Sequence, residues 1–135
     1  MKKKDIIILA SIIEKEAVLD RERSIIASVF YNRIKKNIPL QSCATVQYII
    51  QGRTGERKKR LFYSDLRIKS DCNTYRNKGL PKKPICSPGF KSIEAAINPS
   101  NTNYLFFVRN IKRDGTHIFS ATYQEHVLAK KNNII

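Results

Sequence analysis

Residues 9–17 read Leu-Ala-Ser-Ile-Ile-Glu-Lys-Glu-Ala, and this stretch decides how the N-terminal part of the chain folds. A helix turns by about 100° per residue, so apolar side chains three and four positions apart return to one face. Glu16 ends such an apolar stripe, which is formed by Ile6, Leu9, Ile12 and Ile13. Glu14 lies about 200° away in this projection, so the pattern excludes two glutamates acting side by side.

A carboxyl group beside aliphatic side chains loses hydration, which disfavours its charged form and raises its pKa. A carboxyl that keeps its proton near neutral pH serves as a general acid. The same pattern is also typical of a surface residue in the last turn of a helix. The helical projection of Glu16 by itself leaves both interpretations open.

The chain is strongly basic. Its 135 residues include 26 Lys and Arg against 11 Asp and Glu, which gives a formal net charge of +15. Such a charge favours a polyanionic partner, and nucleic acid is the first candidate. The basic residues are scattered, however, apart from a run over residues 53–60 that is typical of a solvated loop. We therefore expect no specific nucleic-acid site and keep a basic nucleic-acid-binding domain as an alternative.

Length, hydropathy and cysteine usage predict one compact domain over residues 1–135. Cys43, Cys72 and Cys86 form no CxxC pair, so the usual spacing of a zinc site is lacking. Their odd number leaves at least one thiol outside any intrachain disulfide, and the sequence does not decide whether two of them pair. No stretch has the roughly 20 apolar residues of a membrane span, and the N-terminus lacks a signal cleavage site. We expect the chain as given to be soluble.

Two helices joined by a short link begin the chain. Periodicity predicts the first over residues 4–18 and the second from Asp20, a good N-cap, so the two form a helical hairpin. Glu22 and Arg23 lie near the turn and could reach the helix end that carries Glu16. They are equally typical of first-turn charges favoured by the helix dipole, and both interpretations stay open.

The remaining segments alternate between loops and short elements. Glycines and prolines over residues 70–90 predict a long loop, in which Asn73 and Tyr75 carry groups suited to sugar binding. Alternation in the strand around His117 is typical of a partly buried strand residue, although a catalytic base fits too. The predicted order is a short helix or turn over residues 44–50, a charged loop of little order over 51–60, a short helical turn at 64–66 and then the long loop. A helix over 92–97, a hairpin with strands 104–108 and 117–120, and a last helix opened by the capping box of Thr122 and Glu125 follow. This order predicts an α+β domain.

Together, these segments resemble the endolytic murein transglycosylase, or YceG-like, family over nearly the whole chain. The matching motifs, in chain order, are residues 10–16, 22–23, 27–33 and 40–42, Thr45-Val46, Tyr48, residues 73–75, 79–81 and 88–89, Ser92-Ile93, Ala95-Ala96, Tyr104-Leu105, Phe107-Val108, His117, Phe119 and His126.

The resemblance implies a lyase that cuts the β-1,4 bond between N-acetylmuramic acid and N-acetylglucosamine in peptidoglycan and leaves 1,6-anhydro ends. It identifies Glu16 as the catalytic residue, the same residue that the helical face selects. Gln41, Asn73, Tyr75 and His117 match motif positions and are expected to hold acetamido and hydroxyl groups of the substrate. No metal and no cofactor are implied.

The resemblance also implies partners and a location. Glycan strands are the expected substrate, proteins of cell-wall synthesis are possible partners, and the expected site of action is the periplasmic face of the bacterial inner membrane. Family members carry an N-terminal membrane helix and a LysM-like region, and we expect residues 1–135 to correspond to the catalytic domain alone. Membrane attachment would then come only from that anchor.

The chain departs from the family pattern in three places. It has Cys43-Ala44 where Asp-Pro is usual, Cys72 where tyrosine is usual, and Lys82-Lys83 where Pro-Gly is usual. These changes fall in loops expected to line the groove, so they bear on substrate affinity. A hydrolase using water and a non-catalytic wall-binding remnant are therefore kept as alternatives.

Overall fold

The computed structural model describes residues 1–112 and 114–132. Within them the chain forms an α+β fold of five helices and one two-stranded antiparallel sheet, which confirms the predicted fold class. The elements are α1 Lys3–Glu16, α2 Arg23–Lys35, α3 Cys43–Thr54, α4 Phe90–Ile97, β1 Phe106–Arg109, β2 His117–Ser120 and α5 Tyr123–Asn132. No helix in the described part of the chain is long and apolar enough to span a bilayer.

Helix α1 is the centre of the hydrophobic core. The predicted stripe is buried except at Ile6, which is half-buried, and Leu9, Ile12 and Ile13 have no exposed surface. They pack in one cluster with side chains of α2 and α4, among them Ile26, Ala27, Phe30, Ala95 and Ala96. The helix ends at Glu16, two residues before the predicted end, because Ala17 is extended with φ −81° and ψ 142°. Glu16 is therefore the last helical residue.

The link between α1 and α2 differs slightly from the prediction. Residues Asp20–Glu22 form a 3₁₀ turn, and α2 begins at Arg23 rather than at Asp20. The Asp20 side chain accepts a hydrogen bond from Arg23 Nε at 2.9 Å. The two helices contact each other across this short link, as the predicted hairpin requires.

Helix α3 is longer than predicted. It begins at Cys43 and continues to Thr54, where Gly55 ends it in the left-handed conformation with φ 83°. The prediction of a poorly ordered loop from residue 51 was therefore wrong for its first turn, because exposed polar residues are compatible with a helix end. The following segment is also tied down, since the Gln47 side chain bonds both the N–H and the C=O of Lys58.

The long loop before α4 contains no helix or strand from residue 68 to residue 89, as predicted. It is nevertheless attached to the core at defined points. The hydroxyl of Ser11 in α1 accepts a hydrogen bond from the N–H of Ile85 at 3.0 Å and donates one to the C=O of Ile8. Both contacts are buried, so α1 fixes the path of this loop.

The hairpin follows the predicted turn at Asp114 and Gly115. Its antiparallel register pairs Phe107 with Phe119 and Arg109 with His117. The first strand runs over Phe106–Arg109, one or two residues later than predicted, and the second begins at His117 as predicted. The capping box is confirmed, because Thr122 Oγ1 accepts from the N–H of Glu125 while Glu125 Oε1 accepts from the N–H of Thr122. The hairpin thus places His117 against the end of the α1–α2 pair.

The buried Ser11 hydroxyl gives a test of how the loop is held. Ser11→Ala leaves the buried N–H of Ile85 without its acceptor, which costs about 1–3 kcal/mol. We expect urea denaturation to show a loss of unfolding free energy of about that size. Ser87 lies in the same loop but is exposed, so Ser87→Ala should change stability by less than about 0.5 kcal/mol. Equal losses in the two variants would contradict this account.

Candidate active site

The Glu16 carboxyl lies where the end of α1 meets the beginning of α3. The Ser42 hydroxyl donates a hydrogen bond to Glu16 Oε1 at 2.9 Å, and the backbone N–H of Ala44 also points to this carboxyl. Ser42 occupies the N-cap position of α3, yet its side chain makes no capping bond to that helix. The N-cap hydroxyl is therefore used for Glu16. Free N–H groups at a helix N-terminus favour a negative charge, so this end of α3 stabilises the carboxylate.

Two opposed influences set the charge state of Glu16. Burial is the larger one and raises the pKa of Glu16 above its ordinary value, because a desolvated carboxylate is disfavoured. The Ser42 hydroxyl lowers that pKa and is the strongest opposing influence. Weaker opposition comes from the charge of His117, the N–H of Ala44 and the charge of Arg109. The net result is a carboxyl that holds its proton to higher pH but has donors ready for its charged form.

His117 and Glu22 form a buried, hydrogen-bonded pair. His117 Nδ1 lies 2.8 Å from Glu22 Oε1, and the His117 N–H donates to Glu22 Oε2 at 3.0 Å. Their side chains are only 2% and 9% exposed. Glu22 is therefore more than a first-turn charge favoured by the helix dipole, because its carboxylate is buried and bonded to His117. Glu22 holds His117, and the charge of His117 in turn acts on Glu16.

An aromatic cavity of about 440 Å³ lies on one side of the carboxyl. We define it by Glu16 and the five aromatic side chains that line it, Phe30, Tyr75, Phe106, Phe107 and Tyr123. Gln41, Ser42 and Arg33 also contribute to its wall. Aromatic rings present flat apolar faces, and the faces of sugar rings pack on such surfaces.

A second cavity of about 440 Å³ also borders the Glu16 carboxyl and has three basic residues in its lining. We call it the cationic cavity and define it by Lys15, Glu16, Arg57 and Arg109. Glu16 and Cys43 line both cavities, so the carboxyl sits where the two meet. Among the described residues that line either cavity, Glu16 is the one acid.

Two of the predicted substrate-binding residues face the aromatic cavity. Gln41 has an exposed side chain and an unusual backbone φ of 51°, and its N–H donates to the C=O of Thr74. The Tyr75 hydroxyl contacts the Cys43 sulfur at 3.0 Å. Burial raises the pKa of Tyr75, and the Cys43 contact and the charge of Glu16 raise it further, so the phenol stays neutral. Both side chains are placed to hydrogen-bond a ligand in this cavity.

The other two predicted substrate-binding residues have supporting positions. Asn73 is fully buried, and its Nδ2 donates to the C=O groups of Leu66 and Ile68. Its Oδ1 accepts from the N–H of Tyr75 at 2.9 Å. The Asn73 amide thus organises the loop, and the buried ring of His117 is occupied with Glu22. That either residue touches substrate directly stays a prediction.

Glu14 is separated from the site, as the helical projection predicted. Its Oε1 accepts from the N–H of Gly89 at 2.8 Å and from the hydroxyl of Ser92 at 3.0 Å. The bond from Gly89 lowers the pKa of Glu14, so this carboxyl is charged. Arg23 lies 3.9 Å from Glu14 and bonds Ser92 rather than Glu16. The two glutamates of α1 thus have opposite environments.

Two residues at the site, Ser42 and Arg109, were not singled out from the sequence. Ser42 stood inside a quoted motif, and its position before a helix was the signal that could have singled it out. Arg109 closes β1, and nothing in its local pattern distinguishes it from other basic residues. The three cysteines are free thiols, which answers the open question of pairing. Residues 1–112 and 114–132 contain no group of three or more His, Cys, Asp or Glu placed to hold a metal ion.

Comparison with known proteins finds relatives of this chain. A protein of Bacillus subtilis (strain 168) named endolytic murein transglycosylase is 46% identical over 126 residues, which cover 93% of this chain and 33% of that protein. The protein of the same name from Streptococcus pneumoniae serotype 2 is 33% identical over 124 residues, which cover 90% of this chain and 22% of its own length. The chain therefore spans a third or less of the curated relatives it matches.

A crystal structure of a putative yceG-like protein from Listeria monocytogenes superposes with a TM-score of 0.86 at 43% identity. The match covers 95% of this chain and 40% of that one. The family model of the YceG-like family matches residues 1–132, which is nearly the whole sequence. This chain belongs to the YceG-like family.

Proposed function

We propose that the chain is the catalytic domain of a lytic transglycosylase that cuts peptidoglycan strands at the bond between N-acetylmuramic acid and N-acetylglucosamine. One observation carries the proposal: a single desolvated carboxyl, Glu16, lies where two cavities meet. Cavities on both sides of the carboxyl suit a strand that continues past the cleaved bond in both directions. The names of the relatives from Bacillus subtilis and Streptococcus pneumoniae support the same activity.

The lone carboxyl favours a lyase over a hydrolase. Glycosidases that use water generally need two carboxyl groups, one on each side of the bond. An intramolecular hydroxyl has a high effective concentration, so one carboxyl that serves first as acid and then as base is sufficient. The described lining of both cavities offers Glu16 and no second acid.

The reaction begins with Glu16 protonated. Its proton passes to the glycosidic oxygen as the bond from that oxygen to C1 of the muramic sugar breaks. The C6 hydroxyl of the same sugar attacks C1 and gives its proton to the Glu16 carboxylate. The products are a 1,6-anhydro sugar and a free hydroxyl on the leaving sugar, and Glu16 regains its proton. No water is consumed.

Neighbouring donors stabilise the intermediate state of the acid. After proton transfer, the Glu16 carboxylate accepts from the Ser42 hydroxyl and the Ala44 N–H. Charge-assisted bonds of this kind favour the carboxylate at the moment when it must act as base. The site thereby balances desolvation, which the acid step needs, against donors, which the base step needs.

The positions of the side chains around the aromatic cavity and Glu16 suggest which of them contact the substrate and which support those that do. Gln41 and Tyr75 hold hydroxyl or acetamido groups in the aromatic cavity, Asn73 positions Tyr75, and His117 positions and polarises the environment of Glu16. Because peptidoglycan is the substrate, the domain acts at the periplasmic face of the inner membrane. Proteins of cell-wall synthesis are proposed as its partners there.

Incubation with purified sacculi, followed by mass analysis of the released muropeptides, tests the proposal. Anhydro products are lighter by one water than the products of hydrolysis. Hydrolytic products would establish the hydrolase, and binding without release would establish a wall-binding remnant. Tight, saturable binding to one DNA sequence at physiological salt would instead establish the nucleic-acid-binding alternative.

The role of Glu16 is tested by an amide of nearly the same shape. Glu16→Gln cannot donate and recover a proton, so we expect the rate of muropeptide release to fall by at least about 10²-fold. Glu14→Gln changes a carboxyl on the other side of the same helix and should keep most of the activity. Thermal unfolding of both variants checks the fold. A larger loss in Glu14→Gln would reverse the assignment of the acid.

The pH dependence of kcat/KM should report the titration of Glu16. Activity falls as pH rises through the raised pKa of Glu16, because the acid form is lost. The Ser42 hydroxyl stabilises the carboxylate, so Ser42→Ala should raise this pKa and move the alkaline limb to higher pH. Ser87→Ala is the matched control. A shift of the alkaline limb to lower pH in Ser42→Ala would contradict the proposed balance.

Stability should show the same titration without any substrate. A carboxyl whose folded pKa is raised contributes stability that is present below its unfolded pKa, ordinarily 4.5, and that is lost as pH rises through the folded pKa. Glu16→Gln does not titrate. Denaturation at a series of pH values should therefore show the variant gaining stability relative to the wild type as pH rises through this window. A constant difference between the two proteins would show that the Glu16 pKa is not shifted by folding.

A further inference from the structure

A third cavity adjoins the cationic cavity, and we call the aromatic, cationic and third cavities together the groove. This distal cavity has a volume of about 520 Å³ and includes Arg53 and Lys83 in its lining. It shares Tyr48, Gln51 and Ile85 with the cationic cavity, so the two are adjacent. The aromatic, cationic and distal cavities therefore follow one another, with Glu16 between the first and the second.

The groove is chemically different on the two sides of Glu16. Five basic side chains line the cationic and distal cavities, namely Lys15, Arg57, Arg109, Arg53 and Lys83. The described residues of these two cavities include no acid besides Glu16. The aromatic cavity has two residues with a permanent positive charge in its lining, Arg33 and Lys130. Arg33 is buried and donates to the C=O groups of Leu105 and Pro39, so its guanidinium serves the fold, whereas Lys130 is exposed. The side of the cationic and distal cavities thus has five basic side chains against one exposed lysine on the aromatic side.

Lys83 is held over the wall that the two cavities share. Its Nζ lies 5.8 Å from the centroid of the Tyr48 ring, within the range of a cation–π contact. The Lys83 side chain is exposed, so its ammonium group is available to a ligand in the groove. Lys82, the next residue, is exposed too, but it lines none of these cavities and its Nζ lies 3.5 Å from Asp71. The two lysines thus form a natural pair of test and control positions.

We propose that the cationic and distal cavities bind the free carboxylates of peptide stems on the glycan strand, with Lys83 as a residue that sets this preference. The inference rests on the proposed function. In a strand that keeps its stems, the lactyl carboxyl of each muramic sugar forms the amide bond to the stem and is uncharged, so the anions that the strand offers are the carboxylates of its stems. Five cations in two adjacent cavities match such groups in charge. The stem-bearing sugars on that side of the cleaved bond are therefore recognised by charge, and those on the other side by aromatic packing.

The experiment compares two substrates prepared from the same glycan strands. One keeps its free stem carboxylates, and in the other these carboxylates have been converted to neutral amides with a carbodiimide and ammonia. We measure kcat/KM on both for the 135-residue chain and for Lys83→Gln, Lys83→Glu and Lys82→Gln, with thermal unfolding as the check on folding. The ratio of kcat/KM on strands with free stem carboxylates to kcat/KM on amidated strands is the readout.

We expect the wild type to prefer strands with free stem carboxylates. The preference should drop by about two- to fivefold in Lys83→Gln, the size of one exposed charge pair, and further in Lys83→Glu, and it should keep its wild-type value in Lys82→Gln. Added salt should weaken the wild-type preference. An equal ratio in wild type, Lys83→Gln and Lys83→Glu would overturn the inference, as would an equal effect at Lys82. Failure of the proposed function looks different, because neither strand would then be cleaved.

Discussion

The hydrogen bond from the Ser42 hydroxyl to the Glu16 carboxyl joins the two parts of the molecule on which the site depends. Glu16 is the last residue of α1, whose apolar face is buried in the core, and Ser42 is the N-cap of α3. A carboxyl at the end of a buried helix would resist ionisation, whereas a carboxyl at a helix N-terminus would favour it. Bringing the two together gives one group that can be acid and then base.

The other elements hold this contact in place. The Ser11 hydroxyl ties the long loop to α1. Thr74, in the same loop, accepts a hydrogen bond from the N–H of Ser42 through its side-chain hydroxyl. The hairpin places the His117 ring within hydrogen-bond distance of Glu22. These bonds link segments far apart in sequence, so the position of the Glu16 carboxyl depends on the whole domain. Aromatic side chains line one of the two cavities that meet at the Glu16 carboxyl, and basic side chains line part of the other.

Local periodicity was sufficient for part of this picture. The stripe of α1, the separation of Glu14 from Glu16 and the capping box of α5 each depend on residues within one or two helical turns, and all three were predicted correctly. The roles of Asn73 and His117 could not be predicted in that way. Asn73 was expected in a polar loop, and His117 was expected to be a partly buried strand residue or a catalytic base. The partner of the His117 ring is distant, since Glu22 lies 95 residues from His117. The spacing of residues within one segment cannot predict a contact between segments this far apart in the chain.

The central claim is that the folded chain raises the pKa of Glu16 while Glu14 on the same helix stays charged. An NMR titration of the side-chain carboxyl ¹³C resonances measures both directly, with each signal assigned by its loss in Glu16→Gln or Glu14→Gln. The account predicts a Glu16 midpoint above the ordinary value of 4.5 and a Glu14 midpoint below it. A Glu16 midpoint at or below that of Glu14 would contradict the account.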